Sequence, residues 1–364
     1  KKDNYDIDVF VRFDWRLDKI SEILEEIVKR IGKKLECQVK KIHGSRNYFK
    51  IEKEHAYFEI IPVYKIKKPK EARNVTDLSY FHVNYVKKKL KINLAKEVLL
   101  AKQFCHAQNV YGAESYIQGF SGYGLECLII YYKSFINMLK ELSKVEDRIV
   151  LDPAKHYKNK NDVLFSLNES KLQSPVILAD PTWKERNVLA ALSKETFHKF
   201  QEASKKFLKN SSEKFFQFKK LNIDELKKSA LKKRAEFLHL RIETDRQEGD
   251  IAGTKMKKFS RFLESELRKY FSILSNDFIY SLGKESDSYL IVKPKKEFIK
   301  VGPPVEMKEA VKAFKMRNKN TFEKNDLVHS REKINFSVRE FLENWKKSNS
   351  GKMSEMGIVG MKID

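Results

Sequence analysis

The chain has 364 residues, 41% hydrophobic and 34% charged, which is enough apolar material for two to four folded domains and excludes a disordered polymer. Its 74 Lys and Arg against 50 Asp and Glu leave a net charge of +24, which points to a polyanionic partner such as nucleic acid, although lysine enrichment also accompanies adaptation to heat or a biased genome. No apolar run nears the ~20 residues of a membrane helix, the start Lys-Lys-Asp-Asn-Tyr lacks the apolar stretch of a signal peptide, and the scattered Cys37, Cys105 and Cys127 suit neither a disulfide framework nor a cysteine zinc site. A cytoplasmic protein with no membrane partner is expected.

The first element is a strand, Tyr5-Asp6-Ile7-Asp8-Val9-Phe10-Val11 and on to Phe13. A strand puts residues i and i+2 on one face, about 7 Å apart at Cα, so Asp6 and Asp8 stand side by side. Paired carboxylates resist burial unless a cation joins them, and a hard divalent ion such as Mg²⁺ suits that ligand set. An Asp-x-Asp pair on a solvated strand needs no ion, but Ile7, Val9 and Val11 supply an apolar face that predicts an inner strand. A helix over 18–30 follows, with Ile20, Ile23, Leu24, Ile27 and Ile31 at helical spacing.

Strands are expected near 36–42, 47–52 and 56–64. The last, Phe58-Glu59-Ile60-Ile61-Pro62-Val63-Tyr64, carries a single carboxylate, Glu59, and a late proline that predicts an edge or a bend. Asp6, Asp8 and Glu59 together would make a three-carboxylate, two-metal site for phosphoryl or nucleotidyl transfer.

Residues 87–150 read as helical: one helix carries Leu94, Val98, Leu99 and 101–104, and another follows Gly119-Phe120-Ser121-Gly122 through 125–142. Asp180-Pro181 predicts an N-cap and first turn of a helix containing 187–192. Over 199–236, twelve Lys or Arg against five acids alternate with Phe200, Phe207, Phe215, Phe216 and Phe218. That pattern reads as amphipathic helices with phenylalanines inward and a basic, nucleic-acid-binding outer face. From about 237 a strand (238–243), an acidic-glycine loop (245–253), a helix (255–274) and two strands (277–283 and 288–293) form an α+β module closed by Gly302-Pro303-Pro304. The remainder, 305–364, reads as helical and polar.

Taken in order, Asp6-Ile7-Asp8-Val9-Phe10, Glu59-Ile60-Ile61-Pro62-Val63-Tyr64-Lys65, Gly112-Ala113-Glu114, Gly119-Phe120-Ser121-Gly122-Tyr123 with Glu126, Asp180-Pro181 and Glu185-Arg186-Asn187-Val188 with Ala190-Ala191 resemble the archaeal, class I CCA-adding enzymes. These are tRNA nucleotidyltransferases of the DNA polymerase beta superfamily, which add C, C and A to the tRNA 3′ end without a nucleic-acid template. The resemblance spans residue 1 to about 330. It implies a multidomain α+β fold: a polymerase-beta-like nucleotidyltransferase palm or head (1–86), a helical neck and body (87–236), a small α+β tail that grips the outer corner of tRNA (237–304), and a helical C-terminal part of the body (305–364).

By the same resemblance, Asp6, Asp8 and Glu59 are the catalytic, Mg²⁺-binding carboxylates, with Glu59 in a place usually held by Asp. His82 lies near the nucleotide, Lys102 and Tyr111 hold the triphosphate, and Arg186 reads the incoming base together with tRNA phosphates. The implied partners are tRNA, CTP and ATP, and a homodimer is compatible with them. Taken singly, His82 between Phe81 and Val83 reads as a packed histidine, Lys102 as one helix lysine among many, Tyr111 as a capping aromatic, and Arg186 as the partner of Glu185.

The family's Gly-Ser signature, which cradles the triphosphate ahead of the Asp-x-Asp strand, has no counterpart here. Gly44-Ser45 lies beyond that strand, so an N-terminally truncated chain is the expectation. Two other readings stay open: a poly(A)-type polymerase or oligonucleotide synthetase of the same superfamily, and an inactive RNA-binding fragment.

Overall fold

The computed structural model describes residues 5–44, 46–218 and 221–364, with side chains from residue 7 onward; the Asp6 side chain and Ser45 lie outside the described residues. The chain packs as two units, Lys1–Ala113 with Ile117–Lys219, and Glu114–Tyr116 with Lys220–Asp364.

The first unit opens with β1 (Tyr5–Phe13), α1 (Ile20–Leu35), β2 (Val39–Ile42), β3 (Tyr48–Lys53) and β4 (Ala56–Tyr64). They form a four-stranded sheet in the order β1-β4-β3-β2, with β1 parallel to β4 and the other pairs antiparallel. Ile20, Leu24, Val28 and Gly32, each four residues apart, make the stripe that α1 buries on this sheet. Gly32 is required there, because a Cβ would meet Val39 Cγ2 at 2.6 Å. Phe13, Phe49, Ile51, Ile60 and Tyr64 fill the core beneath the helix.

Two expectations change here. Among the described residues β1 is an edge strand, not an inner one, and Ile7 and Val9 are 40% and 39% exposed. The physical reason is that α1 packs over β2, β3 and β4 and leaves the start of β1 uncovered. β4 is interior, yet Pro62 lies past the last pair it makes with β3, Phe49↔Ile60, so the missing N–H falls where no ladder bond is needed.

The chain continues with α2 (Ser79–Lys89), α3 (Ile92–Ala107), α4 (Gly122–Tyr132), α5 (Phe135–Leu142), β5 (Ile149–Leu151), α6 (Lys160–Ser166), β6 (Val176–Leu178) and α7 (Lys194–Lys209). The expected helix over 125–142 is broken at Lys133, whose φ of 67° ends α4 before Ser134 caps α5. Phe104, Phe120, Phe135, Phe200 and Phe207 build the core, with Phe215 and Phe216 packed against it and Phe218 largely exposed. Four of the five phenylalanines expected inward do pack against the core, Phe218 does not, and Lys199, Lys205, Lys206 and Lys209 lie on the outer face of α7.

The second unit holds α8 (Ile223–Lys232), β7 (Glu236–Glu243), α9 (Asp250–Tyr270), β8 (Phe271–Tyr280), β9 (Glu285–Pro294), β10 (Glu297–Pro304), α10 (Lys308–Arg317), β11 (Thr321–Lys324), β12 (Leu327–Lys333), α11 (Val338–Ser348), α12 (Ser350–Glu355) and β13 (Gly360–Ile363). Its main sheet is antiparallel in the order β13-β7-β9-β8, and a second sheet runs β10-β12-β11. Met256, Phe259, Leu263 and Leu267 of α9 and Val338, Leu342 and Trp345 of α11 share one core with Leu238, Leu240 and Ile242.

The tract after 305 is therefore not simply helical. It contributes β11, β12 and β13, and β13 pairs with β7 because Met361 and Ile363 complete that core. The packing keeps 305–364 in one unit with 237–304. The loop expected over 245–253 is shorter than thought, since α9 begins at Asp250.

Candidate active site

Strand parity fixes which side chains face which way. Phe58, Ile60 and Tyr64 of β4 and Val11 and Phe13 of β1 pack toward α1, so Asp8 and Glu59 belong to the opposite face. The parallel register pairs Asp8 directly with Glu59, and adjacent strands lie about 4.8 Å apart. On the far side of β4, Lys50 is the cross-strand partner of Glu59. Its Nζ lies 3.8 Å from Glu59 Oε1 and 4.5 Å from the Tyr57 ring centroid. Two of the three expected carboxylates are thus neighbours on one sheet face, with an ammonium beside them. Asp6 lies two positions before Asp8 in the strand, paired with Tyr57. Among the described residues no cluster of three His, Cys, Asp or Glu suits a metal ion.

The next group forms around a carboxylate that sequence reasoning treated only as a cap. Asp180 is fully buried. Its Oδ2 accepts from Arg186 Nη1 at 2.7 Å and His82 Nε2 at 3.1 Å. Its Oδ1 accepts from Thr182 N and Oγ1, both at 2.8 Å, and from Tyr123 Oη at 3.1 Å. Burial alone would raise this carboxyl's pKa, but the bond and charge of His82, the charge of Arg186 and the Thr182 N–H together hold it well below the usual range. Tyr123 stacks on His82 with ring centroids 4.0 Å apart, and burial pushes its phenol pKa up.

Asp180 begins no helix. Ala179 bridges to Asn187, Asp180 N donates to Arg186 O at 2.9 Å, and 181–191 run as turns before Ser193 caps α7. The cause is Asn187, whose buried carboxamide accepts from Leu178 N and Leu189 N, both at 3.0 Å, and closes the loop on itself. Arg186 therefore pairs with Asp180 and not with Glu185.

Lys102 and Tyr111 come together at the N-terminus of α4. Lys102 Nζ donates to Glu126 Oε1 at 2.8 Å. A Cβ on Gly122 would lie 2.9 Å from Tyr111 Oη and 3.7 Å from Lys102 Nζ, so this glycine admits both side chains. Ser121 caps the helix by accepting from Gly124 N. Tyr111 is no simple cap, because it stacks on His106 at 3.8 Å between centroids; His106 went unassigned in the sequence. Gly122 and Tyr123 are consecutive, so the Lys102–Tyr111 pair and the Asp180 group flank one helix end. A cavity of 210 Å³ lined by Phe10, Arg12, Val63, Tyr80, Phe81 and Val83 lies between the carboxylate face and α2, which carries His82.

Asp180, Tyr123, Lys50 and His106 were not assigned as site residues from sequence. Asp180 had a readable signal: it follows the wholly buried run Val176-Ile177-Leu178-Ala179, where a carboxylate needs partners.

Residues 96–217 match the family described as tRNA nucleotidyltransferase, second domain. The CCA-adding enzyme of Nanoarchaeum equitans is 35% identical over 266 residues, covering 72% of this chain and 63% of that protein. That of Methanocaldococcus jannaschii is 32% identical over 333 residues, covering 86% and 70%, and that of Saccharolobus solfataricus 32% over 269 residues, covering 73% and 60%. The chain thus spans less than two thirds of the length of two of these relatives. A solved structure of a cytoplasmic RNA terminal U-transferase superposes with a TM-score of 0.44 at 14% identity, covering 60% of this chain and 82% of that one. With about a third of its residues identical to the Methanocaldococcus protein over most of both chains, the chain belongs to the CCA-adding enzyme family, the archaeal-type tRNA nucleotidyltransferases.

Proposed function

We propose that this chain carries out template-independent addition of C, C and A to the 3′ end of tRNA, using CTP and ATP. The observation that supports the reading most is the direct pairing of Asp8 with Glu59 across parallel strands, in a chain of this family. Carboxylate oxygens on Asp8 and Glu59, joined by Asp6, are the donors a hard divalent ion such as Mg²⁺ prefers, and the nearby Lys50 ammonium marks the same face as one that attracts positive charge. When bound, the ion supplies a more acidic 3′-hydroxyl and neutralises charge on the reacting phosphates.

The protein groups then divide the substrate among them. Lys102, Tyr111 and the positive end of α4 suit the triphosphate, since a helix N-terminus offers unpaired N–H donors and a favourable dipole. Arg186 presents a planar donor fork suited to the edge of a base, and His82 stacks and donates beside it. The lysines of α7 suit the tRNA backbone by charge alone.

The test is incubation of the natural protein with tRNA lacking its terminal CCA, supplied with labelled CTP, ATP or both. Ordered addition of C, C and A followed by a stop is expected. Asp8→Ala should lower incorporation more than about a hundredfold and leave tRNA affinity within about threefold, because affinity comes from basic surface elsewhere. Turnover of Asp8→Ala within tenfold of wild type would remove the metal role. Unlimited addition of a single base would favour the poly(A)-type reading.

A further inference from the structure

We infer that Asp180 is the positioning residue for nucleotide selection: its buried carboxylate sets Arg186 and His82 at a fixed separation, and the site depends on its negative charge. This inference rests on the nucleotide-binding reading of Arg186 and His82.

The geometry separates two tasks on one side chain. Oδ1 serves the local turn through Thr182 N and Thr182 Oγ1, and also accepts from Tyr123 Oη of α4, 57 positions away. Oδ2 receives only Arg186 and His82 among the described residues, and His82 lies 98 positions away on α2. A carboxylate has about four lone-pair sites, so five donors saturate it. The loop does not need the Oδ2 side to keep its shape. Asp180 N to Arg186 O at 2.9 Å, Arg186 N to Trp183 O at 3.1 Å and the Asn187 carboxamide already hold it through the backbone. Trp183, half-buried, also packs against the core of the first sheet. What Oδ2 adds is a fixed place for the guanidinium and the imidazole, and a site that holds its reading groups in place loses less freedom when the nucleotide arrives.

Asparagine at 180 isolates that task. Its carbonyl can still accept from Thr182 and Tyr123. Its NH₂ replaces Oδ2 and meets two donors. The imidazole can change tautomer and accept, whereas a guanidinium has no acceptor and keeps its proton. Arg186 is the group left unanchored.

The experiment measures single-nucleotide addition to CCA-less tRNA with each of CTP, ATP, UTP and GTP, for wild type, Asp180→Asn, Arg186→Ala, the double variant and Thr182→Val. Thermal unfolding is followed in parallel. Asp180→Asn is expected to raise KM for CTP and ATP about tenfold, to reduce preference over UTP and GTP by a similar factor, and to change kcat less. The double variant should match Arg186→Ala within about twofold, because the carboxylate acts through that arginine. Thr182→Val, which disturbs only the turn side, should keep wild-type selectivity.

Independent, multiplying effects of Asp180→Asn and Arg186→Ala would overturn the inference, as would wild-type selectivity in Asp180→Asn or relaxed selectivity in Thr182→Val. An Arg186→Ala variant with wild-type kinetics for all four nucleotides would overturn it too, and would identify the base-reading role itself as the fault. Should Asp180→Asn not fold, Asp180→Glu, which keeps the charge and moves it by one methylene, tests the fixed separation instead: relaxed selectivity is expected, and wild-type selectivity would overturn the positioning role.

Discussion

At the scale of single residues, the site is governed by which charges have a partner of fixed geometry. Glu59 has one in Lys50 and a neighbour of like charge in Asp8, so its carboxylate is held between attraction and repulsion on a half-exposed face. Shortening it to aspartate keeps the charge and retreats by one methylene, whereas glutamine removes the charge. Glu59→Asp should therefore retain nucleotide addition within about tenfold, while Glu59→Gln should lose it by about a hundredfold or more, with unchanged melting of the protein. Steady-state incorporation with CTP across a Mg²⁺ titration distinguishes them, and equal activity in both variants would show that the charge at 59 is not used. The three carboxylates were visible in the sequence because charge interrupts a β-branched run. Asp180 was harder to see, since its significance depends on His82 and Tyr123, which reach it from 98 and 57 positions away, and no local spacing encodes such a meeting.

At the scale of elements, periodicity revealed the elements that bury one face against a neighbour close in sequence. The first helix and the strands over 39–64 are of that kind, and so is the alternation of phenylalanine and lysine in α7. It failed where a buried polar group overrides propensity, as Asn187 does in turning 187–192 away from helix, and where a strand completes a distant sheet, as β13 does beside β7. Helix α9 shows packing deciding the sign of a substitution. Replacing a helical glycine by alanine ordinarily stabilises by about 1 kcal/mol. At Gly253 a Cβ would meet Tyr280 Cε1 at 2.5 Å and Tyr116 Cδ1 at 2.9 Å. Tyr280 cannot readily yield, because its hydroxyl accepts from Gly249 N at 3.0 Å and lies 2.8 Å from both Gly249 O and Gly283 O. Overpacking of this kind costs about 1–3 kcal/mol, so Gly253→Ala should lower the unfolding midpoint of the second unit. Denaturant melts of wild type and variant would check it, and a raised midpoint would mean that the tyrosines move aside.

At the scale of the molecule, the net charge of +24 is distributed so that both units carry basic surface. In the second unit Lys258, Arg261, Arg268 and Lys269 lie exposed on the outer side of α9, with Arg268 and Lys269 paired to Glu264 and Glu266. If this unit supports tRNA away from its 3′ end, as the family resemblance implies, its contacts should be to phosphate and carry little sequence information. Reversing the charges of Lys255, Lys258 and Arg261 should weaken binding of full tRNA by about tenfold or more at low salt and weaken a minihelix cut short of the elbow far less. The gap should close as salt rises, because fewer counterions are released. Anisotropy titrations of both RNAs at two salt concentrations provide the test, and an equal loss for both would assign the helix to folding alone. The basic character was legible from composition. The grouping of 305–364 with 237–304 was not, because the apolar residues that join them, Trp345, Met361 and Ile363 among them, are sparse within a polar tract.

The uninterrupted parallel ladder from Tyr5↔Ala56 to Phe13↔Tyr64 has a consequence for how such a chain changes over generations. Because side chains alternate with a period of two, one residue gained or lost within either strand would present Ile60 or Phe58 to Asp8 and send Glu59 into the core. Substitution is thus an open route at these positions, and change of length is a closed one. Variation in length should be confined to the connections, such as 14–19 and 65–78, where a lineage can add or drop residues without shifting the phase of the two strands.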